Sequence, residues 1–416
     1  MTANRVQLEI GGNLHMVKRS ADPSHFFTLK IVSTPCFLFF FFIAFHFTLH
    51  VTMLISSSIA RGAIGAISIA TGISILAYLL QATPEYIEPR AAKCLVPILA
   101  AEDNTITVPV IDRIVCILRP YFEDSTRTDY GRLVLMQLGP ILAPIMFLSV
   151  VEASRKANHW SLMSCSPFSA IFAYTTGIGI YLPAIFVPLS IRGRSRVEST
   201  AAGSSISMAR VYALIITQVV IWFAIAALFA PGPTVVGEKT PWILGTAVNT
   251  VIMHSLWFIY TPLTWFLDVT GLVSLKGKTD AQKTEQDRNA RRLLRDAFLV
   301  MAGINAGLYV VSLFGFWHGT TPIDHIVKAF DHGFRVEHLM YAPAYLLLWD
   351  HIGAFAGGLF WVLTDARSIA DPLLYLVLSF LVSPGAALMI HAAQREQRLL
   401  KYVQSLGNSN KKLKSK

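Results

Sequence analysis

Residues 344–363 read AYLLLWDHIGAFAGGLFWVL, and a helix of about 20 apolar residues is enough to cross a bilayer. Asp350 and His351 stand a third of the way into that run. An acid at such depth costs roughly 2.5–3.5 kcal/mol on insertion scales, so it is expected to face the interior of a bundle and to mark function. Desolvation favours the neutral form of a buried acid. That is the state a proton donor needs, and apolar enzyme sites do hold carboxylic acids neutral at pH 7. The structural alternative has Asp350 pair with His351 or a backbone group to lock helices together, beside a Gly353-x-x-x-Gly357 spacing that admits a second helix. The two readings are compatible.

The second constellation is VEASRKAN at 151–158. Glu152 and Arg155, three residues apart, can pair on one helix face, and Asn158 can cap or bind. The plainer reading is an interfacial ion pair anchoring a helix end. Deep aromatic residues, Trp257, Trp349 and Tyr174, can line a cavity where an electron-rich ring stabilises a cation by up to about 2 kcal/mol; filling the core is the commoner use of such residues. Trp265 and Trp361, near span ends, read as interface anchors. Acid–histidine neighbours recur at Asp324/His325, Asp331/His332, Glu337/His338 and Asp350/His351. Adjacent residues on a helix point about 100° apart, which argues against joint chelation, and no metal is assigned.

Several chemistries lack their signatures. The chain carries no P-loop, G-x-G-x-x-G, H-E-x-x-H or G-x-S-x-G pattern, and no aspartate-rich motif of the kind that holds a magnesium diphosphate. Any isoprenoid chemistry here must therefore begin with a proton instead of diphosphate ionisation. No cofactor is called for.

These residues need a scaffold, and the composition says which. Of 416 residues, 54% are hydrophobic and 14% charged, against about 25% charged in an average protein. The expected fold is all-α, a polytopic transmembrane helical bundle of about eight or nine spans. Apolar runs fall at 34–57, 62–80, 133–152, 167–190, 209–230, 241–267, 297–317, 343–364 and 371–392. We divide the chain into an N-terminal tail and first hydrophobic segment (1–60, an anchor or an over-long start), the bundle (61–392) and a basic C-terminal tail (393–416). The four cysteines are scattered without C-x-x-C spacing, so neither a disulfide framework nor a zinc site is implied. A net charge of +10 is spread over connectors and tails, which speaks for the lipid bilayer as partner and against nucleic acid.

Lys and Arg are dense in 81–132, in RGRSR at 192–196 and in KGKTDAQKTEQDRNARRLLR at 276–295. A nine-span count puts these three connectors on one face, cytoplasmic by the positive-inside rule, and the KKLKSK tail on the other. We expect one span to be miscounted, with 318–342 as a candidate re-entrant piece. The K-x-K-x-x ending at Lys412 and Lys414 resembles a cytosolic retrieval signal and suggests the endoplasmic reticulum. Within 81–132, VPVIDRIVCILRPYF has helical apolar spacing and reads as an interfacial helix or an ordinary packed one.

The order ATPEYIEPR, TVPVIDRIVCILRPYF and VEASRKANHWSLMSCSPFSAIFAYTTGIGIYLP resembles fungal integral-membrane terpene cyclases of meroterpenoid pathways, nearest the ascochlorin/ascofuranone type and more distantly the indole-diterpene membrane cyclases. The resemblance implies a helical-bundle enzyme that protonates an epoxide or alkene on a prenylated substrate and cyclises it, without metal or organic cofactor. Epoxidase or prenyltransferase partners of the same pathway are implied too. Arg155 and Asn158 fall in the matching stretch. Asp350 and Glu152 as acids, with His351 as proton partner, rest on burial physics alone. Two rivals remain at this stage: a proton-coupled transporter, in which intramembrane acids carry protons, and a non-catalytic membrane scaffold.

Overall fold

The computed structural model describes residues 58–82, 129–159, 161–164, 172–173, 176–199, 203–229, 256–271, 273, 279–318 and 342–414. All lie in the unit Val51–Lys416. The described residues are helical or in turns, with no strand among them. Three helices are long and apolar enough to cross a membrane: Ile59–Ala77, Ala281–Leu313 and Leu346–Asp365. The run at 34–57, the connector at 83–128 with its interfacial helix, and the 319–341 stretch lie outside the described residues.

The helices are α1 (Ser58–Ala82), α2 (Asp129–Ser154), α3 (178–199), α4 (Met208–Phe229), α5 (Thr261–Val269), α6 (Asp280–His318), α7 (Ala342–Asp365), α8 (Ala370–Leu381) and α9 (Pro384–Lys414). A π turn, Leu256–Tyr260, leads into α5. Helix α3 is continuous: Ile178–Tyr181, a π turn Leu182–Phe186 and Val187–Ser199 follow one another without a break. Its wide turn has a local cause. The Val187 amide bonds the Leu182 carbonyl, five residues back, so the next carbonyl, Pro183, would take the amide of residue 188. Pro188 has none. The Ser68 hydroxyl of α1 donates to Pro183 O at 2.6 Å instead.

Small residues bring α3 and α7 together. A Cβ added at Gly353 would stand 2.7 Å from Gly179 Cα, and one at Gly357 would stand 2.8 Å from Leu182 Cγ. The Gly353–Gly357 spacing therefore seats α3, and the two helices run in the same direction. Asp350 meets Gly179 at one end, and Asp365 meets Arg194 at the other. We call the second the charged end of the bundle and the first the far end.

Side-chain contacts give the remaining directions. In α1, Gly65 packs on Ile191 and Gly72 on Ala184, so α1 runs antiparallel to α3 and Ala82 points to the far end. Helix α2 runs back: Gln137 reaches Ser312 of α6, while Glu152 reaches the charged end. The connector between α1 and α2 thus leaves and returns at the far end. This corrects the expectation that it shares a face with 192–196 and 276–295: Arg194, near the end of α3, meets Asp365, and Arg295, near the start of α6, meets Gln397, both at the charged end. A count of apolar runs misplaces it because 167–190 is not one crossing. Asn158 and Gly193, on either side of that run, share the charged end, while Gly177 lies at the far end against Asp350.

A second correction concerns 371–392, read above as a single span. It is two antiparallel helices, α8 and the start of α9, joined by Val382–Ser383. A single apolar stretch hides the reversal because the turn is apolar too: Val382 is half-buried and Ser383 is buried.

Candidate functional site

The predicted acids separate into two sites. Along α7, Asp350 and Asp365 are fifteen residues apart, about 22 Å at 1.5 Å per residue, and Glu152 sits at the Asp365 end. Glu152, Arg155 and Asn158 come together; Asp350, His351 and Trp349 form the other group. The Trp257 side chain and all of Tyr174 lie outside the described residues, as do the histidine pairs of 324–338.

At the charged end, Glu152 is 3% exposed and Arg155 fully buried. The Arg155 Nε donates to Glu152 Oε1 at 2.9 Å, its Nη2 donates to Glu396 Oε1, and its Nη1 donates to Ser204 O at 3.1 Å. Arg395 Nη1 also donates to Glu152 Oε1. Asp365 gathers the rest: Arg194 at 3.0 Å, Arg395 Nε at 3.1 Å, His391 Nε2 at 3.1 Å, and Arg398. The Arg395 guanidinium stands 5.6 Å from the Trp361 ring, and His391 meets the same ring edge-on. Trp361 is therefore 3% exposed and is a wall of the ion cluster instead of the interface anchor its position suggested. Trp265, 67% exposed, does face outward.

Burial by itself would draw the Arg155 and Arg395 guanidinium pKa values down. The carboxylates of Glu152 and Glu396 around Arg155, and of Glu152 and Asp365 around Arg395, carry both above their ordinary value. Both arginines therefore stay charged, and Glu152 is held between cations. Asn158 closes the cluster by donating its amide to Glu152 O at 2.8 Å, which satisfies a carbonyl freed at the end of α2. The two Glu152–Arg155 partners expected from sequence are thus joined by Arg194, Asp365, His391, Arg395, Glu396 and Arg398, which sequence reading missed.

At the far end, the half-buried Asp350 accepts a hydrogen bond from the Gly179 amide at 2.6 Å. The first amides of a helix have no partner inside it, and here the residue before α3 offers no side chain. Gly177 has φ 91°, a region that favours glycine, and a Cβ on it would press on the Asp350 carboxyl, with Cγ at 3.1 Å. Asp350 thus caps α3 from another helix and meets the positive end of its dipole. Among the described residues no cationic side chain pairs with Asp350. His351 does not bond to it, and among the described residues the His351 Nδ1 is without a hydrogen-bond partner. Trp349 is half-buried.

The contrast is chemical. Glu152 is locked as an anion by two guanidinium groups, whereas among the described residues Asp350 bonds only backbone and can exchange a proton without leaving a cation unpaired. A groove of about 360 Å³ opens between α4 and the start of α6, lined by Met208, Tyr212, Gln282 and Gln286 among others; none of the candidate residues borders it.

No protein-family model matches the chain, and neither a curated protein nor a solved structure does.

Proposed function

We propose that this protein is a membrane-bound terpene cyclase, a multi-pass bundle of about eight or nine spans in the endoplasmic reticulum, acting on a prenylated meroterpenoid or sesquiterpenoid. The observation that carries the reading is Asp350: a carboxyl within an apolar helix, bonded to the Gly179 amide and facing no cation among the described residues. The resemblance of residues 151–183 to fungal membrane cyclases supports it.

In this mechanism Asp350 donates its proton to the oxygen of an epoxide, or to the terminal carbon of an alkene. The epoxide C–O bond breaks and leaves a tertiary cation, the next alkene attacks it to form a ring C–C bond, and the last cation loses a proton or is captured by an internal oxygen. Atoms balance as an isomerisation. The carboxylate left on Asp350 is met by the amide of Gly179 at the positive end of α3, a dipole already in place before charge develops. His351, the next residue on the same helix, takes up the proton released by the last cation or by the capturing hydroxyl and returns it to Asp350. Trp349 and Trp257 supply cation-stabilising ring faces, and the apolar helices exclude water that would trap the cation early. Arg155 and Asn158 act from a distance by fixing the end of α2. No metal or organic cofactor enters the scheme, and the lipophilic substrate arrives from the bilayer, supplied by prenyltransferase and epoxidase chemistry.

Microsomes containing only this protein, incubated with an epoxyfarnesyl phenol, test the reading. A product of unchanged mass and altered retention is expected. Unaltered substrate, together with proton-dependent uptake into sealed vesicles, would replace the cyclase with a transporter; unaltered substrate without uptake would leave a scaffold.

A further inference from the structure

Helix α8 has 12 residues, about 18 Å at 1.5 Å per residue, too short for a hydrocarbon core of about 30 Å. Its neighbours mark how deep it goes. Asp365, five residues before α8, bonds His391 and Arg395 of α9, so the hairpin's entry and exit lie at one level. Arg295 of α6 reaches Gln397 at that level, Nη1 to Oε1 at 2.9 Å. Deeper, Gly385 packs on Asn305 of α6, whose Oδ1 would be 2.9 Å from an added Cβ, and Tyr309 donates its hydroxyl to Phe380 O at 3.2 Å. From Asp296, the last charged residue before the apolar part of α6, to Asn305 is about 14 Å at the same rise. That is half the hydrocarbon thickness, while α6 continues to His318.

We propose that α8 and the first turns of α9 form a re-entrant hairpin. It enters the bilayer from the charged end, turns at mid-depth and leaves on the same side, so the C-terminal tail emerges beside the 276–295 connector.

The turn satisfies the condition that lipid imposes. Non-helical backbone is tolerated at membrane depth only where protein buries it or water reaches it. Ser383 is 4% exposed. Its Oγ accepts the Ala386 amide at 3.0 Å, and the Val382 and Ser383 amides both return to Leu378 O, at 2.8 and 3.3 Å. The outer side of α8 is apolar and open, with Val377 53%, Phe380 54% and Leu381 65% exposed, as suits a surface against lipid tails. The hairpin also brings the basic tail to the side of two basic segments, while the 83–128 connector stands on the other. RGRSR at 192–196, the 276–295 connector and the tail with Lys411, Lys412 and Lys414 all fall on one side, cytoplasmic by the positive-inside rule.

The inference rests on the chain's spanning a membrane and not on its chemistry. An N-glycosylation acceptor cassette is fused after Lys416, inserted after Gly277, or inserted in the 83–128 connector of the full-length chain, and each version is expressed in sealed microsomes. Cassettes at the tail and at 277 are expected to stay unmodified and open to added protease, while the connector cassette is glycosylated. A glycosylated tail beside an unmodified 277 cassette would make 371–392 a full crossing and overturn the hairpin. Because the readout needs no turnover, failure of the cyclase reading leaves it unaffected.

Discussion

Asp350 Oδ1 lies 2.6 Å from the amide of Gly179, 171 positions away in the chain, and the same stretch of α7 places Gly353 against the Gly179 backbone. One helix therefore both caps α3 and leans on it.

Methyl groups at that contact must push the helices apart. Gly353→Ala would put a Cβ 2.7 Å from Gly179 Cα, and overpacking of this kind costs about 1–3 kcal/mol. The variant is expected to melt earlier in detergent and to lose turnover with it. Unchanged thermal denaturation would mean that α3 and α7 are not in close contact.

Removing Arg395 leaves Glu152 and Asp365 buried with fewer partners, and breaking one side of a buried ion pair costs about 3–5 kcal/mol. Arg395→Met is expected to express poorly as folded protein by fluorescence-detected size exclusion, whereas Arg395→Lys retains part of the yield. Equal folded yield from native and Met proteins would show that the cluster does not hold α2, α7 and α9 together.

Ser68→Ala strips the Pro183 carbonyl of its donor at the π turn of α3. An unsatisfied buried carbonyl costs about 1–3 kcal/mol, so this change at a fully buried serine should lower the melting temperature, and Ser68→Thr should restore it. A melting curve for Ser68→Ala that overlays the native one would argue against the bond.

Ser383 has φ 123°, strained for any residue with a Cβ. Ser383→Gly loses a cap bond, worth only a few tenths of a kcal/mol when glycine replaces it, and relieves the strain, so its stability should equal or exceed that of the native protein. Ser383→Val loses the cap and adds branching; it should fall at least about 1 kcal/mol below Gly. The reverse order in a denaturation series would contradict the turn geometry.

What sequence reading reached follows from which signals are local. Apolar runs gave the helices, because twenty lipid-compatible residues in a row have few other uses. Asp350 stood out as an acid within such a run, and Glu152 with Arg155 as an i, i+3 pair. The partners that decide their roles are remote: Arg395 is 243 positions from Glu152, and in QREQR at 394–398 nothing distinguishes a buried arginine from a solvated tail. Ser383-Pro384-Gly385 was a legible break signal, masked by the apolar residues on both sides. The approach of Gly177 and Gly179 to Asp350 is remote in the same way, since nothing in the surrounding apolar run names its partner.

In the proposed mechanism Asp350 is the proton donor, and the direct measurement is the rate of isomer formation in microsomes by Asp350→Asn set against the native protein at equal folded yield. Asparagine can still accept the Gly179 amide bond, so the cap survives while the acid is lost. General acid catalysis contributes typically about 10²–10⁴-fold; a fall of that size is expected, with Asp350→Glu retaining measurable turnover. Native-like rates from the asparagine variant would remove Asp350 from the chemistry and leave it as the cap of α3 alone.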